Sequence, residues 1–275
     1  MDVPSLSRLS SQGVSFLGDA RRPGGVALAF TERAGGVSSG PWASLNLGDS
    51  CGDSPEHVRE NRRRALAAIG AQDCAERLVA PRQVHGDDIV TIRSCGDEAL
   101  EDARLRAREG ADAVVCVAPR VPVLLCFADC LPVVLVGQGG FAIAHSGWKG
   151  TMRRVAAQAA TALAHELGCG CSELVAYIGP HVTGQDYEVS DDLLGRFARE
   201  FGDGVRAGGR RLDLAEAVRV ALEGVGVTRE RVCDAGVSTA SSPERFFSYR
   251  AQNGCCGRQG ALAMIDAQVE GGVVA

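Results

Sequence analysis

The residues able to do chemistry in this chain are concentrated between 126 and 151. An apolar run over 121–127 gives way to Ala128-Asp129-Cys130, and a second over 141–144 gives way to His145. A buried strand requires neither a thiol, a carboxylate nor an imidazole, so their placement where apolar runs end marks a site. The basic, Gly-flanked turn Gly147-Trp148-Lys149-Gly150-Thr151 follows directly. Upstream, His85 in Gln83-Val84-His85-Gly86 precedes another predicted strand. If the three converge, His85, Cys130 and His145 offer nitrogen and sulfur donors with a fourth position open. That is the pattern of a catalytic rather than a structural zinc site. Such an ion lowers the pKa of bound water toward about 7 and polarises a reacting group.

The same atoms support other chemistry. Cys130 as a thiolate with His145 as its base gives a cysteine hydrolase. Cys130 is otherwise a small buried hydrophobe, a reading that Asp129 opposes because carboxylates are seldom buried unpaired. The long gaps between the three do not form a local motif such as His-Glu-x-x-His, so spacing alone leaves these readings open. Asp129 itself orients a ligand, acts as an acid/base, or caps a turn. Lys149 opens a helix predicted over 151–167, where free N–H groups and the helix dipole favour an anion. Arg33, in Arg33-Ala-Gly-Gly-Val-Ser, adds a cation beside a turn that suits anion binding, although Gly pairs also mark plain strand exits. The 147–151 turn lacks the Walker A form, which argues against nucleoside triphosphate hydrolysis. Asn46 and His181 are further pocket candidates.

Positioning these groups requires several short elements. Buried strands are expected over 26–30, 88–92, 113–117, 121–127, 132–136, 141–144, 174–178 and 232–237, with a hairpin turn at Gly137-Gln138-Gly139-Gly140. A helix opens at Ser54-Pro55-Glu56, cap then proline then acid, and stops at Gly70. Others are expected over 97–108, 151–167, 191–201 and 213–224, with a final short helix after Gly257-Arg258. No repeat or linker is visible. The expectation is a polar lead-in over 1–24 and one mixed α/β domain over 25–275, its sheets flanked by helices.

Composition narrows the function classes. With 275 residues, 45% hydrophobic and 23% charged, the chain is an ordinary globular protein. A formal charge of −5 argues against coating nucleic acid. The Arg62-Arg63-Arg64 and Arg210-Arg211 runs are read as solvated faces. No apolar stretch approaches the roughly 18 residues of a membrane span, and no export signal is visible. The 11 cysteines therefore point to a cytoplasmic protein with free thiols. Five His residues and no His-x-His pair are too few for a laccase copper cluster.

The chain resembles the YfiH-type laccase-domain proteins, once called polyphenol oxidases and now regarded as purine nucleoside phosphorylases. The resemblance runs through Arg33-Ala-Gly-Gly-Val-Ser, Leu45-Asn46-Leu47-Gly48, Gly52-Asp53, Asn61-Arg62, Gln83-Val84-His85-Gly86 and Ala111-Asp112-Ala113. It continues in Ala128-Asp129-Cys130-Leu131-Pro132, His145-Ser-Gly-Trp-Lys-Gly-Thr, Ile178-Gly179-Pro180, Tyr187-Glu188-Val189, Asp213-Leu214, Phe246-Phe-Ser-Tyr-Arg and Gly257-Arg258. It implies a compact mixed α/β fold of the CNF-toxin/YfiH type and a zinc site of His85, Cys130 and His145, with copper as the alternative metal. It further implies phosphorolysis of adenosine, inosine, guanosine and methylthioadenosine, and deamination of adenosine. Purine nucleosides and phosphate would then be the partners. Arg33 and Lys149 are the candidates for holding phosphate, with Asn46 and His181 lining the pocket. Some members are linked to peptidoglycan-precursor editing, which a Cys130 hydrolase or amidase would suit, and older descriptions invoke copper oxidation of phenols. Two positions depart from the family pattern: Ser238-Thr239 stands where Cys-Thr is common, and Ala251 where a second Arg often follows Arg250.

Overall fold

A hairpin strand pair lies at the centre of the molecule. In the computed structural model, which describes residues 1–266, the chain runs β1 (Ser7–Ser11), β2 (Val14–Gly18), β3 (Val26–Thr31), α1 (Pro55–Ala68), β4 (Ile89–Ile92), α2 (Asp97–Glu109), β5 (Ala113–Cys116) and β6 (Val123–Phe127). It continues with β7 (Leu131–Gly137), β8 (Gly140–Ser146), α3 (Trp148–Met152), α4 (Val155–Leu167), β9 (Val175–Ile178), α5 (Asp191–Phe201), α6 (Leu214–Glu223), β10 (Val232–Asp234) and β11 (Gln259–Ile265). β7 and β8 pair antiparallel across the predicted turn, where Gly139 takes a positive φ of 76°. Every residue of both strands is buried. Their apolar runs are unbroken because both faces are covered: Val133 and Leu135 point into one core, Val134 and Val136 into another.

Two sheets result. One has six strands in the order β10-β9-β7-β8-β5-β4, with parallel pairs at both edges; the other has five, β1-β2-β3-β11-β6, all antiparallel. The sheets pack face to face around Phe30, Phe127, Ile143 and Tyr177, with α2 closing one side of that core. The outer face of the six-stranded sheet carries α4, α5 and α6. The outer face of the five-stranded sheet is covered by α1 through Ala65 and Leu66. This is the single mixed α/β domain expected. No helix among the described residues is long and apolar enough to cross a membrane.

Three expectations are corrected. Residues 7–18 are not a polar lead-in but a hairpin, turned at Gln12-Gly13, that buries Val14, Phe16 and Leu17. Both turn residues take positive φ, as a two-residue hairpin turn favours. The described part of the expected final helix, Gln259–Ile265, is instead a central strand paired with both β3 and β6. Its Ala, Leu and Met favour a helix by propensity, but pairing on two sides overrides that preference. The helix predicted over 151–167 is broken at Arg154, which adopts a left-handed conformation between α3 and α4.

Candidate metal centre

Four chain segments meet at the ends of β6, β7 and β8. His145 is the penultimate residue of β8 and is buried. Its Nδ1 lies 2.7 Å from Oδ1 of Asp112, the residue before β5. Asp112 also accepts backbone N–H groups from Val84 (3.1 Å), His85 (3.0 Å) and Gly86 (2.6 Å). One buried carboxylate thus shapes the His85 loop and orients His145, turning Nε2 of His145 toward Cys130. Outer carboxylate partners of this kind are typical of metal-bound histidines.

Cys130 comes from the turn between β6 and β7. Asp129 holds that turn: its carboxylate accepts the Thr239 hydroxyl at 2.6 Å and the Arg250 N–H at 2.7 Å. Cys130 Sγ lies 3.8 Å from His85 Nε2, and donor atoms of His85, Cys130 and His145 all fall within 4.8 Å of one another. Gly147 completes the arrangement. A Cβ there would come within 3.2 Å of both Cys130 Sγ and His85 Cδ2, so a larger residue would crowd the donors. Two imidazoles, a thiol, an outer carboxylate and a clearing made by glycine fit a three-donor metal ion. Among the described residues this is the one cluster of three such donors.

The electrostatics suit the same role. Burial opposes a thiolate at Cys130, but the charge of His145 and hydrogen bonds from His145 and His85 outweigh it and bring the thiol down to about 6. Burial likewise disfavours a charged His145, yet Cys130 and Asp112 together raise it to about 9. The two shifts favour the thiolate at Cys130, the form in which a cysteine binds a metal.

The donors open onto a cleft of about 1130 Å³ lined by Tyr187, Tyr249 and six arginines, Arg62, Arg82, Arg104, Arg108, Arg250 and Arg258. Other predicted site residues are placed elsewhere. Arg33 is absent from the lining; its guanidinium donates to the Ala43 and Pro243 carbonyls and sits over the Phe247 ring. Lys149 is exposed and absent from the lining, with its Nζ over Trp148. Asn46 is fully buried, bonding Gly48, Asp53 and the Arg258 N–H. His181 is buried against the Gly179 carbonyl. Asp129 reaches the cleft, but both its oxygens already accept hydrogen bonds. Sequence reasoning had treated Arg62 as part of a solvated face; it pairs with Asp49 at 2.9 Å and lines the cleft. It had also missed Asp112 as a site residue, although an aspartate between two alanines at the start of an apolar strand already asks for a partner.

A family model described as "Multi-copper polyphenol oxidoreductase laccase" matches residues 27–266. The chain belongs to that family. Its YfiH-type relatives include the purine nucleoside phosphorylase of Deinococcus radiodurans, 40% identical over 244 residues, spanning 86% of this chain and 88% of that protein. The purine nucleoside phosphorylase YfiH of Escherichia coli is 32% identical over 236 residues, spanning 83% and 90%. Among solved structures, the hypothetical protein YfiH of Bacillus licheniformis superposes with a TM-score of 0.82 at 26% identity, covering 94% of this chain and 98% of that one. YlmD from Geobacillus stearothermophilus gives 0.81 at 28%, covering 96% and 100%. The laccase-domain fold is thus this chain's fold along nearly its whole length.

Proposed function

We propose that this cleft carries out metal-dependent phosphorolysis of purine nucleosides, with adenosine, inosine, guanosine and methylthioadenosine as substrates, and that it deaminates adenosine. The convergence of His85, Cys130 and His145 at a cleft rich in guanidinium groups carries the reading, and the names of the relatives support it. The cleft exceeds the ~300–1,000 Å³ of ordinary small-ligand pockets, leaving room for a nucleoside and phosphate together. His85, Cys130 and His145 would hold the metal, with zinc the proposed ion and copper the alternative. When bound, the ion supplies Lewis acidity beside the reacting groups.

In phosphorolysis a phosphate oxygen bonds to the ribose C1′ as the C1′–N9 bond breaks. The bonding pair passes to the purine, and the proton carried by phosphate ends on the base, so the step balances without a further reactant. The chain's part is to preorganise charge for this step. Asp112 fixes the ring of His145, and Asp129 fixes the Cys130 turn as a positioning residue. In deamination, water adds at C6 and ammonia leaves. The His-x-Glu and Pro-Cys-x-x-Cys signature of cytidine deaminases is absent from the chain.

A second reading rests on Asp112, His145 and Cys130 taken as a hydrolase triad, with the depressed thiol as nucleophile and a peptidoglycan precursor as substrate. It gives no role to His85 or to the clearing at Gly147, and stands second for that reason. Phenol oxidation by several coppers is disfavoured, since the described residues offer one three-donor cluster.

Incubation of zinc-replete protein with adenosine, with and without phosphate, separates these readings, with Cys130→Ala as control. Phosphorolysis predicts adenine and ribose-1-phosphate only when phosphate is present, inosine in either condition, and loss of all products on chelation. No conversion of adenosine, inosine, guanosine or methylthioadenosine would refute the nucleoside reading. Rapid alkylation of Cys130 in zinc-replete protein, with activity insensitive to chelators, would favour the hydrolase.

A further inference from the structure

We propose that Arg250 and Arg258 form the anion subsite of this cleft and hold the inorganic phosphate co-substrate, an inference that rests on the phosphorolysis reading. The other cleft arginines are engaged by the protein itself. Arg62 pairs with Asp49, Arg104 and Arg108 share Glu101, and Arg82 donates to the carbonyls of Arg108 and Glu109. Among the described residues, neither Arg250 nor Arg258 has a carboxylate partner. The Arg250 guanidinium makes no hydrogen bond to the described residues and lies 5.1 Å from the centre of the Tyr187 ring. Arg258 spends Nη1 on the Cys256 and Gly257 carbonyls, which leaves Nε and Nη2 free, and lies over Tyr249. Two uncompensated guanidinium charges match a phosphate dianion, and their planar forks match its oxygens.

Both side chains line the same cleft as the metal donors, and contacts of their own segments hold them there. The Arg250 N–H donates to Asp129, whose neighbour in sequence is the metal-donor candidate Cys130. The Arg258 N–H donates to the buried Asn46 Oδ1 at 2.8 Å. Gly48 clears the path of the Arg258 stem, since a Cβ at residue 48 would come within 2.6 Å of Arg258 Cγ. Gln259 ties the two segments together, accepting the Phe247 N–H at 2.8 Å and donating to the Phe247 carbonyl at 3.0 Å. The Leu45-Asn46-Leu47-Gly48, Phe246-Phe-Ser-Tyr-Arg and Gly257-Arg258 segments thus together place two guanidinium groups in the cleft onto which the metal donors open. Asn46 acts here as a positioning residue and does not touch substrate.

The test is calorimetric titration of inorganic phosphate into the metal-replete wild type, Arg250→Gln and Arg258→Gln, alongside the phosphate KM with inosine as substrate. The expected result is a rise in both phosphate Kd and phosphate KM of about 10- to 100-fold in each variant, the loss that goes with charge-assisted hydrogen bonds. The inosine KM should move by less than about threefold, and Arg250→Lys should recover part of the loss. The Arg250 side chain makes no hydrogen bond to the described residues, so Arg250→Gln remains informative even if Arg258→Gln fails to fold. Active variants with wild-type phosphate Kd and KM would overturn the subsite while leaving phosphorolysis standing. Wild-type protein that binds phosphate through these two residues but turns over no nucleoside would support the subsite and refute the reaction. Binding of adenosine 5′-monophosphate without binding of inorganic phosphate would overturn the co-substrate assignment.

Discussion

Replacing Asp112 by Asn should weaken metal binding more than any change outside the three donors. The Asp112 carboxylate is wholly buried and accepts four hydrogen bonds, three from the backbone of the His85 loop and one from His145. Burial works against its charge, but His145 and the loop N–H groups hold it ionised, below the usual carboxylate range. An asparagine oxygen at the Oδ1 position can still accept from His85 and His145. Its amide NH2 then faces the N–H groups of Val84 and Gly86, donor against donor. Loss of its acceptor costs the buried Gly86 N–H about 1–3 kcal/mol and the partly buried Val84 N–H about 1 kcal/mol. A total near 3 kcal/mol lowers Tm by roughly 6–12 °C at ~2–4 °C per kcal/mol. The ring of His145 and the path of the His85 loop loosen together, so metal affinity should fall about 10- to 100-fold, as for other outer partners of metal ligands. Zinc competition against a chromophoric chelator measures the affinity, and thermal melting of metal-free protein measures the stability. A variant that melts early but binds zinc within a factor of about two of wild type would show that Asp112 supports the fold alone, and the reasoning would fail.

Gly147→Ala separates space from backbone freedom. Residue 147 has φ −67° and ψ 171°, ordinary for alanine, but the new Cβ meets Cys130 Sγ and His85 Cδ2 at 3.2 Å. Metal-free stability should stay within about 0.5 kcal/mol, while zinc affinity falls roughly tenfold or more; unchanged affinity in the same competition assay would mean that the donors have slack. Away from the site, burial opposes ionisation of Asp19, but Arg21 and the Tyr177 hydroxyl hold its carboxyl at about 2. A pKa depressed on folding contributes stability that is full above about pH 4 and is lost as pH falls through about 2. With an unfolded value near 3.9, the shift corresponds to about 2 kcal/mol. Urea unfolding between about pH 5 and pH 2 should therefore show Asp19→Asn losing about 2 kcal/mol less than wild type; parallel losses would refute the linkage.

The sequence made legible those features that depend on local pattern. Buried strands declared themselves as apolar runs, and α1 by its Ser54-Pro55 start. The β7–β8 hairpin was marked by its glycines. Cys130 and His145 stand out because each follows the end of an apolar run, whereas His85 lies in a polar loop and gains weight only by converging with them. Features decided by distant partners stayed hidden. The alanines of β11 become strand only between β3 and β6. Arg33 and Lys149 look like anion binders by type and turn, yet one is absorbed by the Ala43 and Pro243 carbonyls and the other is not among the residues that line the cleft. Conversely, Arg258 carries no local signal of a site, because its freedom to bind an anion follows from contacts with Asn46 and Gly48 more than 200 positions earlier.

Backbone conformation at the donors explains why the centre is preformed. His85 and Asp129 take φ values of 59° and 80°, a left-handed region that disfavours side-chain-bearing residues by about 1–2 kcal/mol. Glycine would relieve that strain at either position, but it would remove an imidazole at one and a carboxylate at the other. Each strained residue is instead held by hydrogen bonds to or from a carboxylate: His85 by Asp112, and Asp129 by Thr239 and Arg250. The rigidity of the donors therefore comes from two carboxylates that need never touch the metal. Donor atoms within 4.8 Å of one another need only close toward the roughly 3.4–3.8 Å spacing that a tetrahedral ion imposes at bond lengths of about 2.0–2.3 Å. A site built this way binds its ion without first ordering a loop, so metal affinity should follow the integrity of the carboxylates more closely than that of the surrounding apolar packing.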